Sequence, residues 1–208
     1  MFKVLIADDH SLIRSAVKVL LQNQGYNVVA EATNGIDAVQ LARQHVVDMV
    51  ILDITMPGLD GLDVISRIKA SGLNSRILVL TSQPPLFYSQ RCMKAGAAGF
   101  ISKTQDLSEL LRAIKVVMDG YMFFPNLTIT SVRNSDGTLS DLELIEQLSA
   151  RELSILQQLA RGLSNKKIAE DMTLSSKTIS TYKTRLIEKL NIKSVVYLAD
   201  FAKRNDLI

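Results

Sequence analysis

The chain has one cysteine, Cys92, in 208 residues. An intramolecular disulfide is therefore excluded, and no Cys/His cluster with zinc spacing exists. Histidine is nearly as scarce. His10 and His45 are the only two, and neither stands in a setting that suggests a kinase. Long apolar runs are missing: none approaches the ~20 residues of a membrane span. The first strand is followed by Asp8-Asp9-His10 rather than a glycine-rich loop, so a bare nucleotide phosphate would be repelled there. The chain opens directly into an apolar strand pattern, with no signal peptide visible. These absences lead us to expect a cytoplasmic protein without a membrane segment.

What remains is ordinary in bulk, 47% hydrophobic and 22% charged, but uneven in charge. Residues 1–124 carry a net +1, residues 125–148 a net −3, and residues 149–208 a net +5. A basic final third suggests a polyanionic partner.

Four short apolar runs carry the chemistry. Val4-Leu5-Ile6-Ala7 runs into Asp8 and Asp9, and Met49-Val50-Ile51-Leu52 into Asp53. Ile77-Leu78-Val79-Leu80 ends in Thr81, and Gly99-Phe100-Ile101-Ser102 in Lys103. Apolar runs of this length, separated by helical patterns, read as buried parallel strands. The carboxyl ends of such strands share one sheet edge, where ligands bind. Three carboxylates, a hydroxyl and a lysine then meet in one crevice. The carboxylates would repel one another without a cation. Mg²⁺ suits them, because it takes carboxylates, waters and phosphate oxygens. A carboxylate can accept a phosphoryl group, which Lys103 could pair with and Thr81 could hydrogen-bond.

Helical patterns lie between the strands. Leu12, Ile13, Ala16, Val17, Leu20 and Leu21 make one apolar face, and Ile36, Val39, Leu41 and Ala42 mark the next helix. Leu62, Ile65 and Ile68 belong to a third, and Pro84-Pro85 open a fourth. Asp106 and Glu109 have capping-box spacing before a fifth with Leu107, Leu110, Leu111, Ile114 and Val117. Five βα units in order predict an α/β domain. Tyr121-Met122-Phe123-Phe124 is expected to pack on a domain. The acidic, turn-rich stretch with Asn134-Ser135-Asp136-Gly137 reads as a linker, with helix expected over 140–147. From Ser149, a second capping box with Glu152 opens four helices in 60 residues. The expected division is 1–122, linker 123–147, and 148–208.

In the long helix near 176–190, Ile179, Leu186 and Leu190 face inward with Tyr182 beside them. Ser180, Thr181 and Thr184 lie on another face, flanked by Lys177, Lys183, Arg185 and Lys189. Short polar groups near base edges and cations near phosphates suit a helix in a major groove.

Residues 1–120 resemble the receiver domain of two-component response regulators. The resemblance rests on Asp8-Asp9-His10, Leu52-Asp53 with Met56-Pro57, Leu80-Thr81-Ser82, Ala95-Gly96-Ala97 and Lys103. It implies a flavodoxin-like parallel sheet of order 2-1-3-4-5. It implies that Asp53 is the phosphoacceptor and that Asp9, Asp53 and the Thr55 carbonyl bind Mg²⁺, with Asp8 acting through water. Thr81 and Lys103 would sense the phosphoryl group, and Phe100 would be the switch aromatic. Lys103-Thr104 departs from the family's frequent Lys-Pro.

Residues 149–205 resemble the LuxR/NarL-type helix-turn-helix domain. The matching residues are Leu148-Ser149-Ala150-Arg151-Glu152, Ala160-Arg161-Gly162, Asn165-Lys166-Lys167-Ile168-Ala169, Ser176 to Lys183, Lys189-Leu190 and Lys193-Ser194. The pairing points to the NarL/FixJ class. Thr81-Ser82-Gln83-Pro84-Pro85 and Thr181-Tyr182-Lys183-Thr184-Arg185 look like the BvgA/EvgA branch. The resemblance implies that positions 180, 181 and 184 face bases, with Asn165, Lys166 and Lys167 also on the DNA side. It implies a dimerisation helix with Val195, Val196, Leu198 and Phe201. Equally, Leu198 and Phe201 could simply close the small core. The function implied is a transcription regulator, not an enzyme. A partner histidine kinase or phosphotransfer protein would phosphorylate it, and it would then bind promoter DNA as a homodimer, with RNA polymerase a further candidate partner. Two rival readings are a flavin or nucleotide enzyme and a constitutive DNA binder whose receiver only dimerises.

Overall fold

The computed structural model describes residues 2–125, 141–192 and 194–208. It divides into two compact units, Met1–Leu127 and Thr128–Ile208. The cluster Asn134–Gly137 and Lys193 lie outside the described residues, as does the side chain of Leu107.

The first unit alternates strand and helix. Its elements are β1 (Lys3–Ala7), α1 (Ser11–Asn23), β2 (Asn27–Ala32), α2 (Gly35–His45), β3 (Met49–Leu52), α3 (Gly61–Ala70), β4 (Arg76–Thr81), α4 (Pro85–Ala95), β5 (Gly99–Ser102) and α5 (Leu107–Met118). The strands pair in parallel in the order β2-β1-β3-β4-β5, the expected topology. Continuously apolar strands are the ones a sheet covered on both faces requires. Val4, Ile6, Met49, Ile51, Leu78, Leu80 and Ile101 form one core with Val17 and Leu21 of α1 and Leu110, Ala113, Ile114 and Val117 of α5. The alternating residues Leu5, Val50, Leu52, Ile77, Val79 and Phe100 are as deeply buried and point to the opposite face.

Three apolar residues expected on inward faces, Leu12, Ala16 and Ile36, point out. Leu12 is 83% exposed and Ile36 60%. The inward stripe of α1 runs through Ile13, Val17, Leu20 and Leu21, and Leu12 and the exposed Ala16 lie off it. Asp106 does sit at the N-cap of α5, but its side chain makes no capping bond. The Glu109 N–H bonds the Asp106 backbone carbonyl at 3.0 Å instead, so the box does not form. The segment after α5 is split. Tyr121 and Met122 are exposed, whereas the Phe123 N–H donates to the Ala98 carbonyl at 3.0 Å and its carbonyl accepts from Phe100 N–H at 2.7 Å. The chain is thus still paired to the sheet at Phe123, the residue where the linker was expected to begin. Gly99 makes this approach feasible, since a Cβ there would lie 3.0 Å from the Phe123 carbonyl oxygen and 2.7 Å from Leu78 Cδ1.

The second unit is helical: α6 (Asp141–Glu146), α7 (Ala150–Ala160), α8 (Asn165–Asp171), α9 (Ser176–Lys189) and α10 (Val195–Arg204). Ser149 and Glu152 form the complete capping box at the start of α7. Ser164 caps α8 and Ser175 caps α9. Each cap satisfies backbone donors that the first helical turn leaves unpaired. Ile145, Leu153, Leu156, Ile168, Ile179, Leu186, Leu198 and Phe201 are buried. Asp141 is clasped by the Arg204 guanidinium at 2.6 and 3.0 Å and by Asn205 at 2.9 Å, joining α6 to the end of α10. Among the described residues, no helix is long and apolar enough to cross a membrane.

Candidate functional site

The sheet order brings the four chemically loaded strand ends together. Ala7 is in register with Leu52, so Asp8 and Asp53 emerge side by side, and Thr81 is in register with Ser102, the residue before Lys103. The Asp53 N–H donates to the Ala7 carbonyl at 2.8 Å, and Lys103 N–H to the Thr81 carbonyl at 2.8 Å. These bonds extend the ladder one residue past each strand and fix where the side chains start. Gly61 sets the floor of the acceptor loop: a Cβ there would lie 2.6 Å from Ile54 Cα and 2.8 Å from the Asp53 carbonyl oxygen.

Asp8, Asp53 and Thr81 are buried. The Lys103 ammonium lies 2.7 Å from Asp8 Oδ2 and 2.6 Å from Asp53 Oδ2. Burial alone would pull the lysine's pKa down. Attraction to Asp53 and hydrogen bonds to Asp53 and Asp8 outweigh it, and the lysine is held above its ordinary value. Asp9 stands at the more open rim. Carboxylate oxygens of Asp8, Asp9 and Asp53 and a nitrogen of His10 all lie within 4.8 Å of one another. Three carboxylates against one ammonium leave excess negative charge, and the donors are hard oxygens. That set fits Mg²⁺. Thr55 lies two residues beyond Asp53 and donates its N–H to Asp53 Oδ1 at 3.2 Å. Phe100 is fully buried, three residues before Lys103.

Three neighbours escaped the sequence reading as site residues. His10 Nδ1 is 2.7 Å from Asp9 Oδ1, and its backbone N–H donates to Asp8 Oδ1 at 2.9 Å; its adjacency to the two aspartates was the available signal. Arg14 Nη1 donates to the Asp8 carbonyl at 2.8 Å, and its Nε is 3.6 Å from Glu31. Gln83 Nε2 donates to the Thr55 hydroxyl at 2.8 Å, joining the loops after β3 and β4 across the rim. Gln83 carries no local signature, because its partner lies 28 residues away, whereas Arg14 stands only six residues after Asp8.

On the helical unit, Lys177, Ser180, Thr181, Thr184 and Arg185 are exposed along α9, with Lys183 half-buried. Asn165 Nδ2 donates to the Ser180 hydroxyl at 3.1 Å, tying α8 to α9. Lys166 and Lys167 are exposed on α8, and Lys167 pairs with Asp171 at 2.8 Å. Lys189 is placed otherwise than as a free phosphate contact: its ammonium is 2.8 Å from the buried Glu152. That bond and those from Ser149 outweigh burial and hold the Glu152 carboxyl below its ordinary range. The residues of the expected dimer helix differ in exposure. Leu198 and Phe201 are 0% and 1% exposed and pack in the core of this unit, the second of the two expected roles. Val195 is half-buried, while Val196 and Tyr197 are the exposed apolar residues of α10.

Comparison with known proteins agrees with both halves. Residues 4–115 match the response regulator receiver domain, and residues 146–202 match the bacterial regulatory proteins of the luxR family. The virulence-factor transcription regulator BvgA of Bordetella pertussis is 52% identical over 99% of this chain and 98% of its own. The DNA-binding transcriptional activator EvgA of Escherichia coli K12 is 36% identical over 98% of both. Among solved structures, the receiver domain of NarL from Mycobacterium tuberculosis is 34% identical with a TM-score of 0.53, covering 57% of this chain and 97% of that one. RcsB from Salmonella enterica serovar Typhimurium, at 23% identity and a TM-score of 0.63, shares the fold over 98% of both chains.

A receiver joined to a helix-turn-helix unit defines a transcription regulator of a two-component system. The chain belongs to the two-component response regulators of the LuxR/NarL type, near the branch that holds BvgA and EvgA.

Proposed function

We propose that Asp53 accepts a phosphoryl group from a partner histidine kinase or phosphotransfer protein, and that the phosphorylated chain binds promoter DNA as a dimer through α9. The observation that carries this reading is the buried Asp53 carboxylate with Lys103 2.6 Å away and Asp8 and Asp9 beside it. Asp8, Asp9 and Asp53 would hold Mg²⁺, which would neutralise charge on the phosphoryl oxygens. An Asp53 oxygen attacks phosphorus, a P–O bond forms, and the P–N bond to the donor imidazole breaks. The new group carries more charge than the carboxylate it caps. Lys103, already anchored to Asp53, follows that charge. The Thr81 hydroxyl accepts from Gln83 N–H at 3.3 Å and keeps its own proton to donate. Thr81 moving toward the phosphoryl group vacates space beside the buried Phe100. That couples the site to the face of β5 and biases a two-state equilibrium.

The division of labour assigns phosphoacceptance to the first unit and DNA binding to the second. Because the target is chromosomal, we place the protein in the cytoplasm. The test is intact mass after incubation with Mg²⁺ and acetyl phosphate. One phosphoryl adduct is expected on the wild type and none on Asp53→Asn. An adduct on both would move the acceptor elsewhere. An adduct without any gain in dimerisation or DNA affinity would favour a constitutive binder.

A further inference from the structure

The exposed face of α9 carries three hydroxyls that already donate their protons to its own backbone. The Ser180 hydroxyl donates to the Ser176 carbonyl at 3.1 Å, Thr181 to the Lys177 carbonyl at 3.2 Å, and Thr184 to the Ser180 carbonyl at 3.2 Å. Back-bonding to the carbonyl of the preceding turn is a recurrent arrangement for Ser and Thr within helices. A hydroxyl has one proton and two lone pairs. The three side chains therefore present oxygen lone pairs outward, together with the methyl groups of Thr181 and Thr184. Ser180 is constrained further, since one of its lone pairs accepts from Asn165.

Resting on the reading of α9 as the DNA-contacting helix, we infer that its face selects A·T base pairs and rejects guanine. In the major groove, guanine shows two acceptors, N7 and O6, which lone pairs cannot satisfy. Adenine shows an N6 donor, and thymine shows a C5 methyl. An A·T pair thus offers both things this face can use: a proton for a hydroxyl oxygen and a methyl for a threonine methyl. Cytosine offers a proton too, but its partner brings the two guanine acceptors and no methyl. The cations one turn to either side of Thr181, Lys177 and Arg185, are exposed and long enough to reach phosphates, which position the helix without reading sequence.

The experiment uses the full chain treated with acetyl phosphate and Mg²⁺, first in selection from a random duplex library. The enriched half-site is expected to hold A·T pairs where α9 lies. Thymine is then replaced by uracil there, which removes only the methyl. Wild-type affinity should fall about fourfold, the factor equivalent to ~0.8 kcal/mol for one buried methyl-sized group. Thr181→Ser/Thr184→Ser should already have lost that factor and show no further change with uracil. Thr181→Val/Thr184→Val keeps the methyls but loses the oxygens, and it should keep the uracil effect while losing discrimination at adenine. A guanine-centred half-site, or a uracil effect unchanged in the serine variant, overturns the inference. Salt-dependent binding without enrichment overturns the inference but leaves DNA binding standing. No binding even at low salt removes both.

Discussion

Lys103→Met removes the ammonium that bridges Asp8 and Asp53 while keeping most of the side chain's volume. The two pairs lie at 2.7 and 2.6 Å, and all three side chains are under a tenth exposed. Removing one partner of such a buried pair costs about 3–5 kcal/mol, because the remaining charge is left uncompensated. Here the crevice opens toward Asp9 and His10, whose side chains are 37% and 66% exposed. Water can therefore reach the orphaned carboxylates, and the cost should sit near ~3 kcal/mol. In a unit of this size 1 kcal/mol corresponds to about 4 °C, so its melting temperature should drop by ~12 °C. Mg²⁺ should reverse much of the loss. Without a competing ammonium the carboxylates bind the cation more tightly, and ligand stabilisation grows with the logarithm of that affinity. Scanning calorimetry with and without Mg²⁺ measures both quantities. A melting temperature within ~2 °C of wild type, or an equal Mg²⁺ response in the two proteins, refutes the role given to Lys103. The raised lysine pKa adds a pH signature. A group whose pKa is higher in the folded state stabilises fully below its ordinary value and stops doing so only as pH rises past the folded one. On the alkaline side, the difference between wild type and variant should therefore hold through neutral pH and shrink in strong alkali.

Three further outcomes are expected. Gly61→Ala would press a methyl onto Ile54 and the Asp53 carbonyl, costing about 1–3 kcal/mol. It should also slow phosphodonor labelling of Asp53, whereas full stability and labelling would show that the loop can yield. Glu152→Ala opens the capping box and releases Lys189, costing about 2 kcal/mol in the helical unit by urea denaturation. Because the Glu152 pKa is lowered on folding, its contribution is present above the ordinary value near 4.5 and lost as pH falls through the folded value. The variant and wild type should therefore converge in acid, and a gap that widens in acid would reverse the assignment. Burial and the negative charge of Asp60 push the Cys92 thiol to about 12. It should resist a thiol reagent at pH 8 until the protein unfolds, and prompt reaction in the native state would contradict the burial.

Most of the architecture could be read from the chain because the signals were local. Buried parallel strands need continuous apolar runs, helices announce their inward stripe at a 3.6-residue period, and Asp8, Asp53, Thr81 and Lys103 each follow a strand directly. The capping boxes show the limit of local reading. Ser149 with Glu152 forms one and Asp106 with Glu109 does not, although the spacing is the same. At Asp106 the backbone carbonyl already takes the proton that the side chain would have accepted.

What tertiary structure alone decided are the partnerships between distant segments. Leu198 and Phe201 have the same sequence signature whether they meet a second chain or their own core, and packing against the other helices settles it for the core. Lys189 reads as one more cation near DNA until α7 brings Glu152 to it from 37 residues away. Gln83 enters the phosphoryl site only because the sheet order sets the loop after β4 beside the loop after β3, 28 residues away in the chain. Periodicity and composition specify which face of an element is buried, since that depends on one segment at a time. Which groups share a hydrogen bond depends on two segments and the geometry between them, and that geometry is set only when the whole fold closes.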